Sequence, residues 1–256
     1  MFLSLISGSS GNATLLKHKN TLLLIDCGMS GKKLSEALAE LDLTCNDITA
    51  CLITHEHTDH TKGVGIISRR FNIPLFATSG TFASSELGNI SDDAINIITP
   101  QNDFEIGDIG ISPFSISHDS ANPIGFSFFT DCKKLSLATD SGIVTDEMWQ
   151  SISGSDEIIL ESNHDTDMLT YGPYPLSLKR RISGDSGHLS NDDAAKICVK
   201  LLESGTKKIM LAHLSHENNT PEIAYHTTKN SLENYGAVLG KDITLSVADR
   251  YKITRF

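Results

Sequence analysis

The feature that most constrains this chain is a group of three histidines and one aspartate within the segment His55–His60. The segment, HEHTDH, directly follows Ala50–Thr54, an apolar run with the composition of a buried β-strand. Side chains two positions apart in an extended chain point to the same side, so His55 and His57 can approach one metal ion together. If the chain then turns into a helix, Asp59 and His60 face back toward a second position. The spacing therefore predicts a metal site at the end of a strand.

The cysteines indicate which atoms would bind the metal. The chain has five of them, widely scattered and without a CxxC pair, so neither a disulfide framework nor a thiolate zinc site is indicated. Imidazole and carboxylate ligands without thiolate suit zinc, manganese or iron. An open coordination position would carry water, whose pKa a divalent ion lowers towards neutrality. A surface loop that is rich in histidine by chance is the alternative.

Composition limits the class of protein. The formal charge of −11 argues against broad nonspecific attraction to nucleic acid, although bound divalent ions would reverse the sign inside a carboxylate-lined site. No apolar run approaches the roughly 20 residues that cross a bilayer. The first residues, Met1–Ile6, lack the basic flank of a signal peptide. We therefore expect a cytoplasmic protein with no membrane partner and no disulfide-linked partner.

Strand signals fill the first half of the chain, and helices alternate with strands in the second half. Strands are predicted at Phe2–Ser7, Ala13–His18, Thr21–Asp26, Ala50–Thr54, Leu75–Ala77, Glu157–Glu161, Lys208–Ala212 and Ile243–Val247, with an antiparallel set near Ile95–Ile98, Ile109–Ser117, Gly125–Thr130 and Lys134–Thr139. Helices are predicted at Gly31–Leu41, Gly63–Phe71, Ser79–Leu87, Leu176–Ile182, Ser190–Glu203 and Pro221–Tyr235. Without repeats or linkers, this pattern predicts one α/β domain over residues 1–256, with two sheets packed face to face and helices outside.

Three more candidate ligands, His118, Asp140 and His213, each follow a predicted strand. Alone, each would be interpreted as a structural histidine or a turn residue. In this order behind HxHxDH, they make the whole chain resemble the metallo-β-lactamase superfamily. That resemblance implies a four-layer αββα sandwich holding two ions. It assigns His55, His57 and His118 to one ion and Asp59, His60 and His213 to the other, with Asp140 between them.

Asp26 ends another apolar strand, in Leu24-Ile25-Asp26-Cys27-Gly28. In the superfamily, an aspartate at this position orients the ligand histidines from behind, as metal-bound imidazoles generally require. An aspartate that caps the turn before a glycine is the alternative interpretation, and the residues alone leave both open.

Three segments narrow the resemblance to the YycJ/WalJ branch, a bacterial group that is related to tRNase Z and associated with DNA exonuclease activity. They are Ser7–Asn12, Leu160–Asp165 and Gly184–Ser190. In the first segment, we assign Ser10 and Asn12 to substrate binding.

The resemblance also implies which residues assist the reaction. Glu161 and His188 stand where tRNase Z-like enzymes carry residues that assist the leaving group, which makes His188 the candidate general acid. Asp59 joins them as a catalytic metal ligand. A loop or helix-capping histidine is the alternative for His188. His164 either supports the pocket from the Glu161 loop or decorates the surface of that loop.

The densest basic run in the chain is Lys179-Arg180-Arg181. On a helix these side chains fan outward, so at least one could meet backbone phosphates beside the site. A solvated helix face is the alternative. Lys32-Lys33 and Arg69-Arg70 could extend such a basic strip.

Together these features predict a dinuclear hydrolase that uses Zn²⁺ or Mn²⁺, with Fe or Ni as alternatives. We expect a phosphodiesterase, a DNA exonuclease in which metal-bound hydroxide attacks and His188 assists the leaving group. A small-molecule hydrolase of thioesters, lactones or cyclic phosphodiesters is the alternative, which the acidic net charge favours. A non-catalytic relative is poorly supported because every expected ligand is present. The interval between Asp140 and His213 is filled by elements that the core needs, so no β-CASP insertion is expected.

Overall fold

The computed structural model describes all 256 residues, and its strands form two mixed sheets of seven strands each. The strands are β1 (Phe2–Ile6), β2 (Ala13–His18), β3 (Thr21–Ile25), β4 (Ala50–Leu52), β5 (Leu75–Ala77), β6 (Ile95–Ile97), β7 (Phe104–Ile106), β8 (Ile109–Ser115), β9 (Ile124–Phe129), β10 (Lys134–Ala138), β11 (Glu157–Glu161), β12 (Lys208–Ala212), β13 (Thr244–Val247) and β14 (Thr254–Arg255). The first sheet has the order β14-β1-β2-β3-β4-β5-β6, and the second has the order β13-β12-β11-β10-β9-β8-β7.

Nine helices accompany the sheets. They are α1 (Gly31–Ala39), α2 (Thr58–Thr61), α3 (Val64–Phe71), α4 (Ser79–Ser84), α5 (Asp146–Ile152), α6 (Thr166–Tyr171), α7 (Leu176–Ile182), α8 (Asn191–Glu203) and α9 (Pro221–Tyr235). Short 3-10 turns lie at Cys45–Asp47 and Asp92–Ala94. None of the helices combines the length and apolar character that a bilayer span requires.

The inner faces of the two sheets share one apolar layer. Leu23 and Leu52 from the first sheet belong to the same buried cluster as Phe126, Phe128 and Ile159 from the second. Truncating a fully buried phenylalanine such as Phe126 to alanine would cost about 3–5 kcal/mol, because removal of the ring leaves a cavity. This layer therefore holds the sheets face to face.

Each outer sheet face is covered by helices. Leu34 of α1 and Ile67 of α3 pack in a cluster with residues of the first sheet. Leu201 of α8 and Leu232 of α9 do the same on the second sheet. The result is a four-layer αββα sandwich, which confirms the predicted fold class.

Strand direction was predicted only in part. The strand at Ile95–Ile97 was expected in an antiparallel set, but β6 runs parallel to β5. Likewise, β10 is antiparallel to β9 but parallel to β11. Alternating apolar residues show which face of a strand is buried and carry no information on the direction of its neighbour. Four short elements, β7, β14, α5 and α6, had no prediction.

Candidate metal centre

Five polar side chains of the predicted site stand where strands of the two sheets end. Asp26 follows β3, His55 lies beyond β4, Asp140 lies beyond β10, Glu161 ends β11, and His213 follows β12. Strands β3 and β4 are parallel, and so are β10, β11 and β12. The carboxyl ends of parallel strands meet at one edge of a sheet, which is where ligand sites of such sheets lie. The topology therefore gathers these residues at one edge of the sandwich.

Three of these residues have left-handed backbone conformations, with φ of 60° at Asp26, 60° at Asp140 and 57° at His213. A residue other than glycine in this region costs on the order of 1–3 kcal/mol, and such strain clusters at functional sites. At each position the chain turns sharply directly after a strand. Interactions in the rest of the fold must therefore offset the strain of these turns.

The first ligand group consists of His55, His57 and His118, whose ring nitrogens converge. Nδ1 of His57 lies 3.0 Å from Nε2 of His55 and 3.2 Å from Nε2 of His118. These are the three side chains that the resemblance assigns to one ion. Their nitrogens are close enough to bind a single cation in common.

The second group consists of Asp59, His60 and His213. Oδ2 of Asp59 lies 3.5 Å from Nε2 of His60 and 3.5 Å from Nε2 of His213. Helix α2 begins at Thr58, so the chain does turn into a helix within the HEHTDH segment. This short helix brings Asp59 and His60 to the second position.

Asp140 lies between the two groups. Its Oδ2 is 3.4 Å from Nε2 of His60, and its Oδ1 is 3.8 Å from Nε2 of His118. One carboxylate thus reaches a histidine of each group. This is the position that a bridging ligand would occupy.

Two buried atoms of this cluster have no hydrogen-bond partner: Oδ2 of Asp140 and Nε2 of His213. A buried polar atom without a partner costs about 1–3 kcal/mol. A cation coordinated by both atoms would remove that cost. The donor set of imidazole nitrogens and carboxylate oxygens suits a divalent transition-metal ion. The residues therefore fit the metal that the fold family implies.

Electrostatics indicate an excess of negative charge at the second group. Burial lowers the pKa of His60, but the carboxylates of Asp140, Asp26 and Asp59 outweigh burial and raise this pKa to about 9. The pKa of His213 is also raised, with Asp140 again the main cause against burial. Without a cation, the carboxylates thus favour protons on two buried histidines. A bound divalent ion would neutralise the same charge.

Asp26 orients one of these histidines. Its Oδ2 lies 2.8 Å from Nδ1 of His60. The same carboxylate accepts hydrogen bonds from the backbone N–H and the hydroxyl of Thr54, each at 2.8 Å. With Nδ1 of His60 bonded to Asp26, Nε2 is the ring atom left for a metal.

Glu161 connects two histidines from a fully buried position. Its Oε1 lies 2.8 Å from Nδ1 of His188 and 2.8 Å from Nδ1 of His213. Its Oε2 accepts backbone N–H groups of Ser141 at 2.9 Å and Leu189 at 3.1 Å. Burial raises the pKa of this carboxyl, but His188 and His213 outweigh burial and keep the pKa below its usual range. An ionised Glu161 can therefore hold both imidazoles in place.

A cavity of about 410 Å³ opens over both ligand groups. His57, Asp59, Asp140, His188 and His213 contribute to its wall. The side chain of His188 is 18% exposed, so it reaches this cavity, whereas Glu161 behind it does not. The cavity thus combines the candidate metal ligands with one histidine that is free to meet a substrate.

Comparison with known proteins agrees with this fold. A family profile described as the beta-lactamase superfamily domain matches residues 21–214. The chain belongs to this superfamily.

Similarity to two exonucleases extends over nearly the whole chain and places it in their YycJ/WalJ family. Exodeoxyribonuclease YycJ from Bacillus anthracis is 39% identical over 250 residues, covering 97% of this chain and 95% of that protein. Exodeoxyribonuclease WalJ from Streptococcus pneumoniae serotype 2 is 41% identical over 249 residues, covering 96% and 92%. The metallo-β-lactamase fold protein YhfI from Bacillus subtilis has a TM-score of 0.72 at 16% identity, covering 99% and 98% of the two chains. The predicted resemblance to the superfamily and to this branch is confirmed.

Asn12 and Ser10, both predicted to bind substrate, have different surroundings in this YycJ/WalJ-family fold. Asn12 is buried, and its Nδ2 lies 3.0 Å from Nε2 of His60 and 3.3 Å from Oδ2 of Asp59. Asn12 therefore contacts the candidate ligands. Ser10 lines a neighbouring cleft, and the residue that lines the metal cavity is Ser9. The loop is a tight turn that presents alternate residues to different sides, which the sequence pattern did not show.

The basic run on α7 divides into three different environments. Arg181 lines the metal cavity, where its guanidinium forms an ion pair with Asp119, with Nη2 3.1 Å from Oδ1. Lys179 donates to the backbone oxygen of Thr170 at 2.7 Å. Arg180 is exposed and does not line the cavity. Of the three, only Arg181 lines the metal cavity, as expected for side chains that fan around a short helix.

His164, whose interpretation was open, and a further histidine, His216, do not line the cavity. His164 is buried, bonds Asn191 through its backbone, and leaves its Nδ1 without a partner. No hydrogen bond joins its side chain to a candidate ligand. His216 is exposed and pairs with Glu217 at 2.8 Å. Neither histidine is placed to touch a metal.

Sequence reasoning missed part of the cavity wall. Tyr174, Leu178 and Ile182 line the cavity together with Arg181. Leu178, Arg181 and Ile182 are three to four residues apart and share one face of α7, whereas Tyr174 precedes the helix. That periodicity, combined with the assignment of Arg181 to substrate, could have identified Leu178 and Ile182.

Proposed function

We propose that this protein is a metal-dependent exonuclease that removes nucleotides from DNA and uses two divalent ions, Zn²⁺ or Mn²⁺. The observation that carries this proposal is the shared cavity. It joins two groups of ligand atoms, the carboxylate of Asp140 between them, and the exposed edge of His188. The proposal is supported by relatives named exodeoxyribonuclease that are 39% and 41% identical over almost the full chain.

Each ion would have its own ligand set. His55, His57 and His118 would hold the first ion, and Asp59, His60 and His213 the second, with Asp140 shared between them. When bound, such ions make water acidic enough to attack at neutral pH and stabilise the charge of a phosphoryl group in transfer. Asn12 and Asp26 would orient the second set through their contacts with His60.

His188 would donate the proton to the leaving oxygen of the phosphodiester. Its Nδ1 is bonded to Glu161 at 2.8 Å, so Nε2 is the ring atom available for the cavity. The bond to Glu161 holds the ring so that a proton on Nε2 can pass to the leaving oxygen. Glu161 is a positioning residue here, because it touches His188 and His213 and no substrate.

Arg181 would contact a phosphate of the substrate. Its guanidinium is about half exposed at the cavity wall and is already oriented by Asp119. A guanidinium held in this way can bind a phosphate oxygen without further ordering of its side chain. Lys179 and Arg180 could attract DNA only at longer range. A DNA substrate and the five free thiols are consistent with cytoplasmic residence, which we include in the proposal.

The direct test supplies the purified protein, in Mn²⁺ or Zn²⁺, with duplex DNA labelled at defined ends. We expect stepwise release of nucleotides that is abolished in Asp59→Ala and falls about 10²–10⁴-fold in His188→Ala, the usual contribution of a general acid. His226→Ala, at an exposed histidine of α9, is the matched control and should retain full activity. Hydrolysis of a simple thioester or of bis-p-nitrophenyl phosphate, with no cleavage of any nucleic acid, would reject the nuclease.

A further inference from the structure

A second cavity, of about 600 Å³, lies next to the metal cavity and is lined by basic residues. We call it the basic cleft; its cationic side chains are Lys33, Lys62, Arg250 and Lys252. Two acidic side chains, Glu36 and Glu40, also line it. The cleft therefore has a positive balance in a chain whose formal charge is −11.

The cations of the cleft are not neutralised by ion pairs. The salt bridges of the chain engage other cations, such as Lys32 with Glu36 at 3.8 Å and Arg181 with Asp119. None of them includes Lys33, Lys62 or Lys252. An unpaired lysine at the wall of a cleft keeps its full attraction for an anionic ligand.

Arg250 connects the wall of the cleft to the wall of the metal cavity. Nη1 of Arg250 lies 3.5 Å from Oγ of Ser9, a residue of the metal cavity wall. Nη2 donates to the backbone oxygen of Leu214 at 2.7 Å, directly after the candidate ligand His213. The neighbouring Ser10 already lines the cleft. A ligand that leaves the metal cavity past Ser9 would therefore meet Arg250 at the edge of the basic cleft.

An exposed aromatic side chain stands in the cleft between two cations. Tyr251 is 69% exposed and lies between Arg250 and Lys252 in sequence. Its turn is fixed by Asp249, whose Oδ1 accepts the backbone N–H groups of Tyr251 at 2.7 Å and Lys252 at 2.9 Å. Basic residues that follow a sugar–phosphate backbone, combined with an aromatic ring on which a base can stack, are the usual elements of a single-strand binding groove.

We propose that the basic cleft binds the single DNA strand that continues beyond the phosphate being cleaved. Lys33, Lys62 and Lys252 contact its backbone phosphates, and Tyr251 stacks on a base. The inference rests on the proposed nuclease function and deepens it, because it gives the enzyme a preference for long strands. A cavity of this volume has the size of a cleft for a small ligand, so it has room for nucleotides of one strand. It also explains how an acidic protein would hold DNA.

The test compares kcat/KM for release of nucleotides from single strands of three and twelve nucleotides, in Mn²⁺. For the wild-type protein we expect kcat/KM to be about tenfold or more higher for the twelve-nucleotide strand than for the three-nucleotide strand. The variant Lys33→Glu/Lys62→Glu/Lys252→Glu should lose most of this ratio. In a plot of log affinity for the twelve-nucleotide strand against log salt concentration, the slope of the variant should be shallower than that of the wild type. The difference should be about 0.7 for each phosphate that the substituted side chains no longer neutralise.

Two controls make the comparison specific. Lys200→Glu/Lys207→Glu/Lys241→Glu changes the net charge equally at exposed lysines outside the cleft, and it should keep the wild-type ratio. Tyr251→Ala should lower the ratio about fivefold or more, since stacking on an aromatic ring contributes strongly per base. Tyr251→Phe, which keeps the ring, should retain the ratio.

The possible failures are distinguishable. If the cleft variant and the control variant have the same length ratio, the cleft proposal is wrong while the nuclease stands. A wild-type protein that cleaves both strand lengths with equal kcat/KM would also reject the cleft proposal and leave the nuclease standing. If the wild-type protein releases nucleotides from no DNA yet hydrolyses bis-p-nitrophenyl phosphate, the nuclease and the cleft proposal are both rejected.

Discussion

Oε1 of Glu161 lies 2.8 Å from Nδ1 of His188. The same oxygen is 2.8 Å from Nδ1 of His213, a candidate metal ligand. One buried carboxylate therefore couples the proposed proton donor to the proposed metal centre. Any change at Glu161 should affect both metal affinity and the chemical step.

Glu161→Gln is the variant that tests this coupling. The amide keeps the shape of the side chain but removes the charge, and an amide nitrogen facing the backbone N–H groups of Ser141 and Leu189 cannot accept their hydrogen bonds. We expect metal affinity and kcat each to fall about 10–100-fold, as for other groups that orient ligand histidines. Steady-state kinetics with metal analysis of the same sample measure both. Glu233→Gln, on the exposed face of α9, is the control, and equal behaviour of the two variants would contradict the coupling.

Asp26→Asn tests the orientation of His60. The variant removes the charge that lies 2.8 Å from Nδ1 of His60, so the ring loses its fixed tautomer. We expect metal affinity to fall about 10–100-fold, measured by competition with a chelator of known affinity. Asp131→Asn, at a surface aspartate that pairs with Lys19, should bind metal like the wild type. Unchanged affinity in Asp26→Asn would show that Asp26 is only a turn residue.

The metal-free protein should have a characteristic pH dependence of stability. The carboxylates around His60 raise its folded pKa to about 9, despite burial, whereas an unfolded histidine titrates near about 6.5. A raised folded pKa stabilises the folded state fully below about pH 6.5, and this contribution disappears as pH rises through about 9. At low pH, the contribution of His60 to the free energy of unfolding is on the order of 3 kcal/mol.

Urea unfolding of EDTA-treated protein from pH 6 to pH 9.5 measures this contribution. The difference in unfolding free energy between the wild type and His60→Gln should shrink as pH rises. With metal bound, the sign reverses, because the ligand must be neutral to coordinate and low pH therefore releases the ion. A difference that is constant with pH in the metal-free proteins would contradict the electrostatic account of this group.

The thiols should differ sharply in reactivity. Cys132 is exposed, whereas Cys27, Cys45, Cys51 and Cys198 are buried. Burial raises the pKa of Cys27 to about 12 and also raises the pKa of Cys51 and Cys198, which suppresses the reactive thiolate. A disulfide reagent should label one thiol rapidly in the native protein and five after unfolding. Rapid labelling of a second thiol in the native state would show that the core opens.

The candidate ligands could be predicted because their signal is local. HxHxDH behind a buried strand fixes His55, His57, Asp59 and His60 through chain geometry alone, and the later ligands fall at strand ends in the order of the family. The fold class followed from the same alternation of strands and helices.

The contacts that support the ligands could not be predicted, because they join distant parts of the chain. Asn12 reaches His60 across 48 positions, and Glu161 reaches His213 across 52. The sequence shows that both residues lie in short polar segments. Only the packing of the two sheets brings Asn12 to His60 and buries Glu161 against His213. The basic cleft was missed for the same reason, since Lys33, Lys62 and Lys252 come from three separate segments.

In the proposed function, two ions held by the gathered histidines and aspartates drive the cleavage of DNA. This proposal is tested by titrating Mn²⁺ into the metal-free protein while nucleotide release from labelled DNA is measured. We expect release to begin only with added metal, to saturate near two equivalents, and to be absent in Asp140→Ala. Full release without metal, or release unaffected by the substitution of Asp140, would contradict it.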